Sequence, residues 1–544
     1  MIKTKILNYL KKAVIKEPIE IEIFVPENEQ FGHYSTNVAL KLAKKLKKSP
    51  LEIAEEIKTK LITNHYSLFT KIEVAPPGFI NFWISEKVLQ DELREILKKK
   101  QNYGKSAVKG QMSKVQIEFI SANPTGPLTL ANGRGGFMGD VLSNILEFCG
   151  YKVEREYYVN DTGNQILTLG KSILATNGFI KNEENFYKGG YVKEWAKKHK
   201  AISKKYQNNP LKLGQLAAAD FLKEIKKAVE KEAKIKFDRW TSEDKHIHKK
   251  SYIDKVLKIF KAKKLIYEKD GALWLKTTDF NDEKDRVLIT QDKFPTYFLA
   301  DAGHFLETKS RGFNSKIMIL GPDHHGYVKR IQAAAKIIGL KELKVIVTQA
   351  VRLMSAGKEV KMSKRTGEFV TFEDLIKEVK PDAARFFFLT HSPETHMDFD
   401  LDLAKERSMK NPVYYAQYAA VRCQGIIKKV NIRTSDVLRT SDVQKLNTAE
   451  DINLMRQMAR FPEAVEEAAK NYNPQILARY ALDLAREFHN FYEKERIIPA
   501  RRSLGEGGGE EKNLMLARLV LIRATLIIFK NLFGLLGIGL PDKM

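Results

Sequence analysis

The sequence predicts a multidomain protein of α/β and α class. A small α+β unit comes first, then a largely parallel sheet with helices, then a long helical C-terminal unit. Three observations carry this. Length comes first, since 544 residues suffice for three or four domains with real cores. A buried strand also runs twice into a Gly/Pro loop and a helix, at 115–149 and 316–339. Finally, from Asp382 onward the apolar spacing is almost wholly helical.

Composition narrows the class. Apolar content of 43% and charged content of 29% suit an ordinary globular chain. The balance of 93 Lys and Arg against 67 Asp and Glu leaves +26, which favours a polyanionic partner or reflects a generally lysine-rich composition. Cys149 and Cys423 sit in apolar helical contexts and read as buried thiols, with neither a disulfide framework nor a zinc site. The apolar stretch 519–540 is broken by Arg523 and Lys530, and the N-terminus lacks the features of a signal peptide. A cytoplasmic protein with no membrane partner is the expectation.

Residues 1–100 begin with a helix carrying Ile6, Leu10 and Val14 on one face. Ile19 to Val25 alternates as a strand does, and two basic helices broken at Pro50 follow. Residues 72–84 read as strand–turn–strand about Pro76, Pro77 and Gly78. Lys41, Lys44, Lys45, Lys47 and Lys48 make a solvated face or a nucleic-acid contact. The polar residues 101–114 read as a linker.

Val115 to Phe119 then alternates as a strand, Pro124, Gly126 and Pro127 interrupt it, and a helix starts near Asn132 or Gly133. Its N-terminus, with free N–H groups and a positive dipole end, is a generic anion site, and Gly133, Gly135 and Gly136 would admit a nucleotide to the backbone. An ordinary turn before a core helix is the alternative. Residues 170–250 read as a lysine-rich helical insertion, and ALWLKT, RVLIT and PTYFLAD within 271–301 as short strands. Ile317 to Leu320 form a second buried strand with Gly321 to Gly326 at its carboxyl end, where ligands bind in open α/β sheets. His324 and His325 there read as polar ligand contacts, since an adjacent pair lacks metal-site spacing. Lys361 and Lys364 flank Met362 and Ser363 in a loop bracketed by Gly357 and Gly367. Two ammonium groups there suit charge developing on a leaving pyrophosphate, or form a solvent-facing basic turn. In the helical unit Tyr414, Tyr418 and Arg422 fall in one row, and Phe488, His489, Phe491 and Tyr492 follow later. Aromatics beside arginine can stack unpaired bases or fill a core.

Taken in order, these pieces resemble a class I aminoacyl-tRNA synthetase, specifically the arginyl-tRNA synthetase family. KMSKR (361–365) is similar to the class I KMSKS loop, and SANPTGPL (121–128), NPVYYAQYAAVRC (411–423) and GLPDKM (539–544) resemble blocks of the arginine enzyme. The resemblance implies a tRNA-contacting domain at 1–100, a Rossmann-like catalytic domain at 115–380 and a helical anticodon-binding domain at 381–544. It also implies ATP, Mg²⁺ carried by that ATP, L-arginine and tRNA-Arg as partners, no protein-bound structural metal, and a monomer. Family members generally need bound tRNA before they activate arginine.

Carried over residue by residue, the resemblance implies that Glu118, Asn123, Tyr297, Asp301, Asp323, His324, Asn160, Asp161 and Gln165 bind arginine. Pro127, Leu128, Thr129, Leu130, Ala131, Asn132, Gly133, Arg134, Met362 and Ser363 would bind ATP, with Thr129, Asn132, Lys361 and Lys364 catalytic. Tyr414, Tyr418, Arg422, Phe491 and Tyr492 would meet tRNA. One departure stands out. The family's H-x-G-H falls on Thr129-Leu130-Ala131-Asn132, so both histidines are replaced by neutral donors and the glycine by alanine. A catalytically silent tRNA-binding paralogue is therefore the rival reading, and a class I enzyme of other specificity the second.

Overall fold

The computed structural model describes residues 1–14, 19–64, 67–105, 114–360, 370–430, 443–498 and 509–544. At the front, α1 (Ile2–Ala13), α2 (Val38–Leu46) and α3 (Pro50–Asn64) pack with an antiparallel sheet of β1 (Tyr34–Thr36), β2 (Phe69–Ala75) and β3 (Phe79–Ile84), ordered β1-β3-β2. Of the alternating segment 19–25, only Phe24 pairs, in an isolated bridge to Ser35, so the expected strand is not formed. Pro50 opens α3, a position where a missing N–H costs nothing. Helix α4 (Glu86–Lys99) then carries Leu89, Leu93, Ile96 and Leu97 into the common core.

The central sheet is fully parallel. It comprises β4 (Lys114–Glu118), β5 (Lys152–Val159), β6 (Arg239–Ser242), β10 (Ser315–Leu320) and β11 (Glu342–Val347), ordered β11-β10-β4-β5-β6. The chain order reverses between β4 and β10, a switch point of the kind where open sheets bind ligands beyond the strand ends. Helix α5 (Leu130–Phe148) follows β4 directly. The insertion is built of α6 (Gly163–Thr176), α7 (Gly190–Lys198), α8 (Lys200–Lys205) and α9 (Pro210–Lys226). It ends sooner than the expected residue 250, because β6 at 239–242 belongs to the central sheet. Gly170 and Gly214 set α6 and α9 backbone to backbone, since a methyl on either would strike the other helix's main chain.

A hairpin sheet of β7 (Ile266–Lys269), β8 (Ala272–Leu275) and β9 (Arg286–Ile289) lies after α10 (Tyr252–Ala262). ALWLKT and RVLIT contain β8 and β9 as expected, but PTYFLAD opens helix α11 (Tyr297–Ser310). Helix α12 (Val328–Ile338) follows β10, and a small sheet joins β12 (Val351–Ser355), β13 (Lys358–Glu359) and β14 (Met397–Asp400). After α13 (Phe372–Val379), strand β14 interrupts an otherwise helical stretch that holds α14 (Pro381–Leu389), α15 (Leu401–Lys405) and α16 (Pro412–Val430). The bundle is completed by α17 (Ala449–Ala459), α18 (Phe461–Lys470), α19 (Gln475–Lys494) and α20 (Gly509–Leu536). By length and composition α20 could cross a membrane, but its apolar window is mostly buried against the rest of the bundle.

Among the described residues the largest apolar core runs from Ile6 and Phe82 through Phe137 and Phe372 to Phe488 and Leu532, while α10–α12 with β8 and β9 enclose a second and α6, α7 and α9 a third. The front unit is tied to the bundle by Glu463, whose Oε1 accepts from the Lys3 amide at 2.8 Å and from the Tyr34 hydroxyl at 3.0 Å. Arg456 pairs with Glu29 across the same seam.

Candidate active site

Strand β4 delivers Glu118 to the switch point, and the chain then turns sharply. Ile120 and Ser121 adopt positive φ of 65° and 39°, an unfavourable region for side-chain-bearing residues and a costly one for β-branched Ile120. Eight residues after Ser121, Thr129 caps α5: Asn132 N donates to its Oγ1 at 3.4 Å, and Thr129 N to Asn132 Oδ1 at 2.9 Å. The Thr129 hydroxyl itself donates to Asn132 Oδ1 at 2.8 Å. The two residues at the histidine positions thus hold each other.

The glycines of α5 serve packing rather than ligand access. A methyl at Gly133 would fall inside the Phe372 ring, and one at Gly136 would press on Ile120 and Ile235. Arg134, expected to bind ATP, is 2% exposed and donates to the carbonyls of Gln349 and Ser392, so it braces the fold instead. Leu128 and Leu130 are buried too, leaving Pro127, Thr129, Ala131 and Asn132 toward the surface of the loop and cap.

The amino-acid side of the site centres on α11. Tyr297, Asp301, His304 and Thr308 follow at spacings of four, three and four, and so share one helical face. Tyr297 is half-exposed at the rim. Asp301 is partly open but enclosed by protein, and it accepts from the Tyr327 hydroxyl at 2.5 Å. Among the described residues no ion pair reaches it. Burial pushes its carboxyl up to about 7, with Glu118 and Glu243 adding to the rise while Tyr327 and His304 oppose it. Glu118, by contrast, has the Lys316 ammonium 2.9 Å from Oε2.

Other expected residues take mixed positions. Asn123 Nδ2 donates to Gln165 Oε1 at 2.5 Å, so these two meet. Asp161 is used inward: Ser242 Oγ and Asp244 N donate to its two oxygens at 2.5 and 3.0 Å, locking the turn after β6. Asn160 Oδ1 is buried without a hydrogen bond. Beyond β10, Asp323 lies exposed and His324 half-buried, with His324 Nε2 3.7 Å from Asp323 Oδ2. KMSKR, with Lys361, Met362, Ser363 and Lys364, lies outside the described residues.

Three pocket residues were missed by reading the sequence. The Tyr158 hydroxyl donates to Glu243 Oε2 at 3.1 Å, and His248 Nε2 lies 3.1 Å from Glu243 Oε1. Burial, then Glu243, pushes the Tyr158 phenol well up. The only signal was the acidic residue opening SEDKHIH directly after a short strand, too common a pattern to single out.

In the bundle Tyr414 and Tyr418 stack at 6.1 Å with an 11° interplanar angle. The Arg422 guanidinium lies 4.9 Å from the Tyr418 ring and 4.3 Å from that of Tyr492. Phe491 is wholly buried in the core and cannot stack a base, which corrects the expectation for it.

Comparison with known proteins matches this layout. Family models for the arginyl tRNA synthetase N-terminal domain, the class I (R) tRNA synthetase catalytic domain and the DALR anticodon-binding domain match residues 1–84, 92–391 and 416–544. Arginine–tRNA ligases of Carboxydothermus hydrogenoformans and Listeria monocytogenes are each 38% identical over 562 aligned residues, covering 99% of this chain and 98% of theirs. The arginyl-tRNA synthetase structures from Thermus thermophilus and Plasmodium falciparum superpose with TM-scores of 0.78 and 0.77 at 19% identity. They cover all of this chain and 100% and 98% of their own, a likeness of fold. With all three models matched in chain order, this chain belongs to the class I arginyl-tRNA synthetase family.

Proposed function

We propose that the protein joins L-arginine to tRNA-Arg at the cost of ATP, in two steps at the switch point. In the first, an arginine carboxylate oxygen bonds to the ATP α-phosphorus while the bond to pyrophosphate breaks. In the second, the terminal adenosine 2′-hydroxyl attacks the arginyl carbonyl and AMP leaves with the bonding electrons. Positioning and electrostatics carry most of such a reaction. Mg²⁺ travels with the ATP and screens its phosphates.

The observation that carries the reading is Asp301: a carboxyl enclosed by protein, beside Glu118 and Glu243, with no cation of its own among the described residues. A guanidinium supplies the missing charge and planar donors for carboxylate oxygens. Tyr297 at the rim and the Asn123–Gln165 pair would orient the rest of the amino acid. The α5 N-terminus, with Thr129 and Asn132, offers neutral donors to phosphate oxygens, and Lys361 and Lys364 would meet the departing pyrophosphate. The Tyr414–Tyr418–Arg422–Tyr492 group suits unpaired anticodon bases. The protein would act as a cytoplasmic monomer and require tRNA for arginine activation.

Aminoacylation of tRNA-Arg transcript by the purified protein, with all twenty amino acids in parallel, tests this. Charging with arginine alone, lost in Asp301→Ala, is the expected outcome. The mutually bonded Thr129–Asn132 pair favours one second reading, a tRNA-binding paralogue without ligase activity. Tight tRNA binding with no arginine-dependent pyrophosphate exchange would establish it instead.

A further inference from the structure

Beneath the amino-acid pocket lies a charged cluster that the two chemical steps leave unused. Lys316 on β10 and Glu156 on β5 are completely excluded from solvent, and His304 on α11 is 1% exposed. Strand register assembles them: Lys316 is opposite Gln116, and Glu118 opposite Glu156. The ammonium lies 2.6 Å from Gln116 Oε1, 2.8 Å from Glu156 Oε2 and 2.9 Å from Glu118 Oε2, so each of its three protons has an acceptor in range. His304 closes the cluster, with Nε2 2.9 Å from Glu156 Oε2 and Nδ1 3.8 Å from Glu118 Oε2. Thr241 Oγ1 donates to the other Glu156 oxygen at 2.5 Å. Glu118, Glu156 and His304 are spaced as ligands of one cation, and the Lys316 ammonium is that cation.

The charges support one another. Burial opposes the charge on Lys316, but Glu118 and Glu156 outweigh it. Burial likewise opposes ionisation of Glu156, yet His304 and Lys316 hold its carboxyl well below the usual range. Among the described residues no hydrogen bond or ion pair engages Glu118 Oε1. The ammonium contacts Oε2 as an ion pair without the alignment of a hydrogen bond. One end of Glu118 is therefore held from below and the other left over. A salt bridge buried this deeply often adds no stability over an apolar packing, and this one lies directly under the pocket.

We propose that Lys316 is a positioning residue for the amino-acid pocket, anchoring Glu118 through Oε2 so that Oε1 meets a guanidinium at one fixed geometry. It also neutralises the lower carboxylates, which leaves the pocket's uncompensated acid at Asp301. The inference rests on the reading of Glu118 and Asp301 as arginine-binding.

The test is tRNA-dependent arginine activation, followed by pyrophosphate exchange, in the full-length variants Lys316→Met, Lys316→Met/Glu156→Gln and Glu118→Ala. The double variant removes both buried charges and covers the case in which Lys316→Met alone does not fold. In either folded Lys316 variant the arginine KM is expected to rise on the order of tenfold or more while the ATP KM stays unchanged. Arginine and ATP KM values rising together, or a wild-type arginine KM while Glu118→Ala raises it, would overturn the Lys316 assignment alone. A wild-type arginine KM in Glu118→Ala would overturn the pocket reading beneath it.

Discussion

Asp301 is an aspartate whose burial, with Glu118 and Glu243 beside it, pushes its carboxyl to about 7 against the opposing pull of the Tyr327 hydroxyl and His304. A folded-state value above the ordinary 3.8 means that stability is intact below about pH 4 and is lost as pH climbs through 7. Asp301→Asn removes that loss. At pH 8 without substrate, calorimetry should therefore show a higher Tm for the variant, together with a raised arginine KM. A guanidinium favours the ionised acid, so arginine binding should release a proton and weaken as pH falls from 8 to 6. Titration calorimetry in two buffers of different ionisation heat reads this directly, and a buffer-independent heat would contradict it. Glu118 and Asp301 were legible in the sequence through their motifs. Lys316 and Glu243 were not, because a lysine in a strand or a glutamate opening a helical turn is ordinarily a surface residue; the sheet register turns Lys316 inward, and the turn after β6 buries Glu243.

The strand–loop–helix at 115–149 was legible as an element but not in its purpose. Its glycines read as room for a nucleotide, whereas Gly133 lies under Phe372 and Gly136 against Ile120 and Ile235. Close packing of helix on sheet and close approach of a ligand demand the same residue. Gly133→Ala should accordingly cost about 1–3 kcal/mol, read as a lower denaturant midpoint, without selectively raising the ATP KM. PTYFLAD shows the opposite error. Four apolar residues in a row fit a short strand or a buried helix equally, and helix α11 wins because the face bearing Asp301, His304 and Thr308 has a sheet to pack on.

Across the whole molecule the net charge of +26 suits a polyanionic partner. Affinity for tRNA-Arg should fall by at least about tenfold between 50 and 200 mM salt, by filter binding. Arg422→Ala should weaken it further, since that guanidinium is shared between the Tyr418 and Tyr492 rings. The parallel order of the central sheet followed from strand–helix alternation, but the seams between units did not, because the contacts joining them lie more than four hundred residues apart. Glu463 shows what this entails. Among the described residues its acid accepts hydrogen bonds only from the Lys3 amide and Tyr34, and burial raises its carboxyl in spite of them. A chain shorn of its first 84 residues would lose both of those donors and open the seam that Glu463 closes. Such a fragment would clump rather than survive as a leaner ligase. The borders between the three matched blocks are marks of ancestry, and the folding unit ignores them.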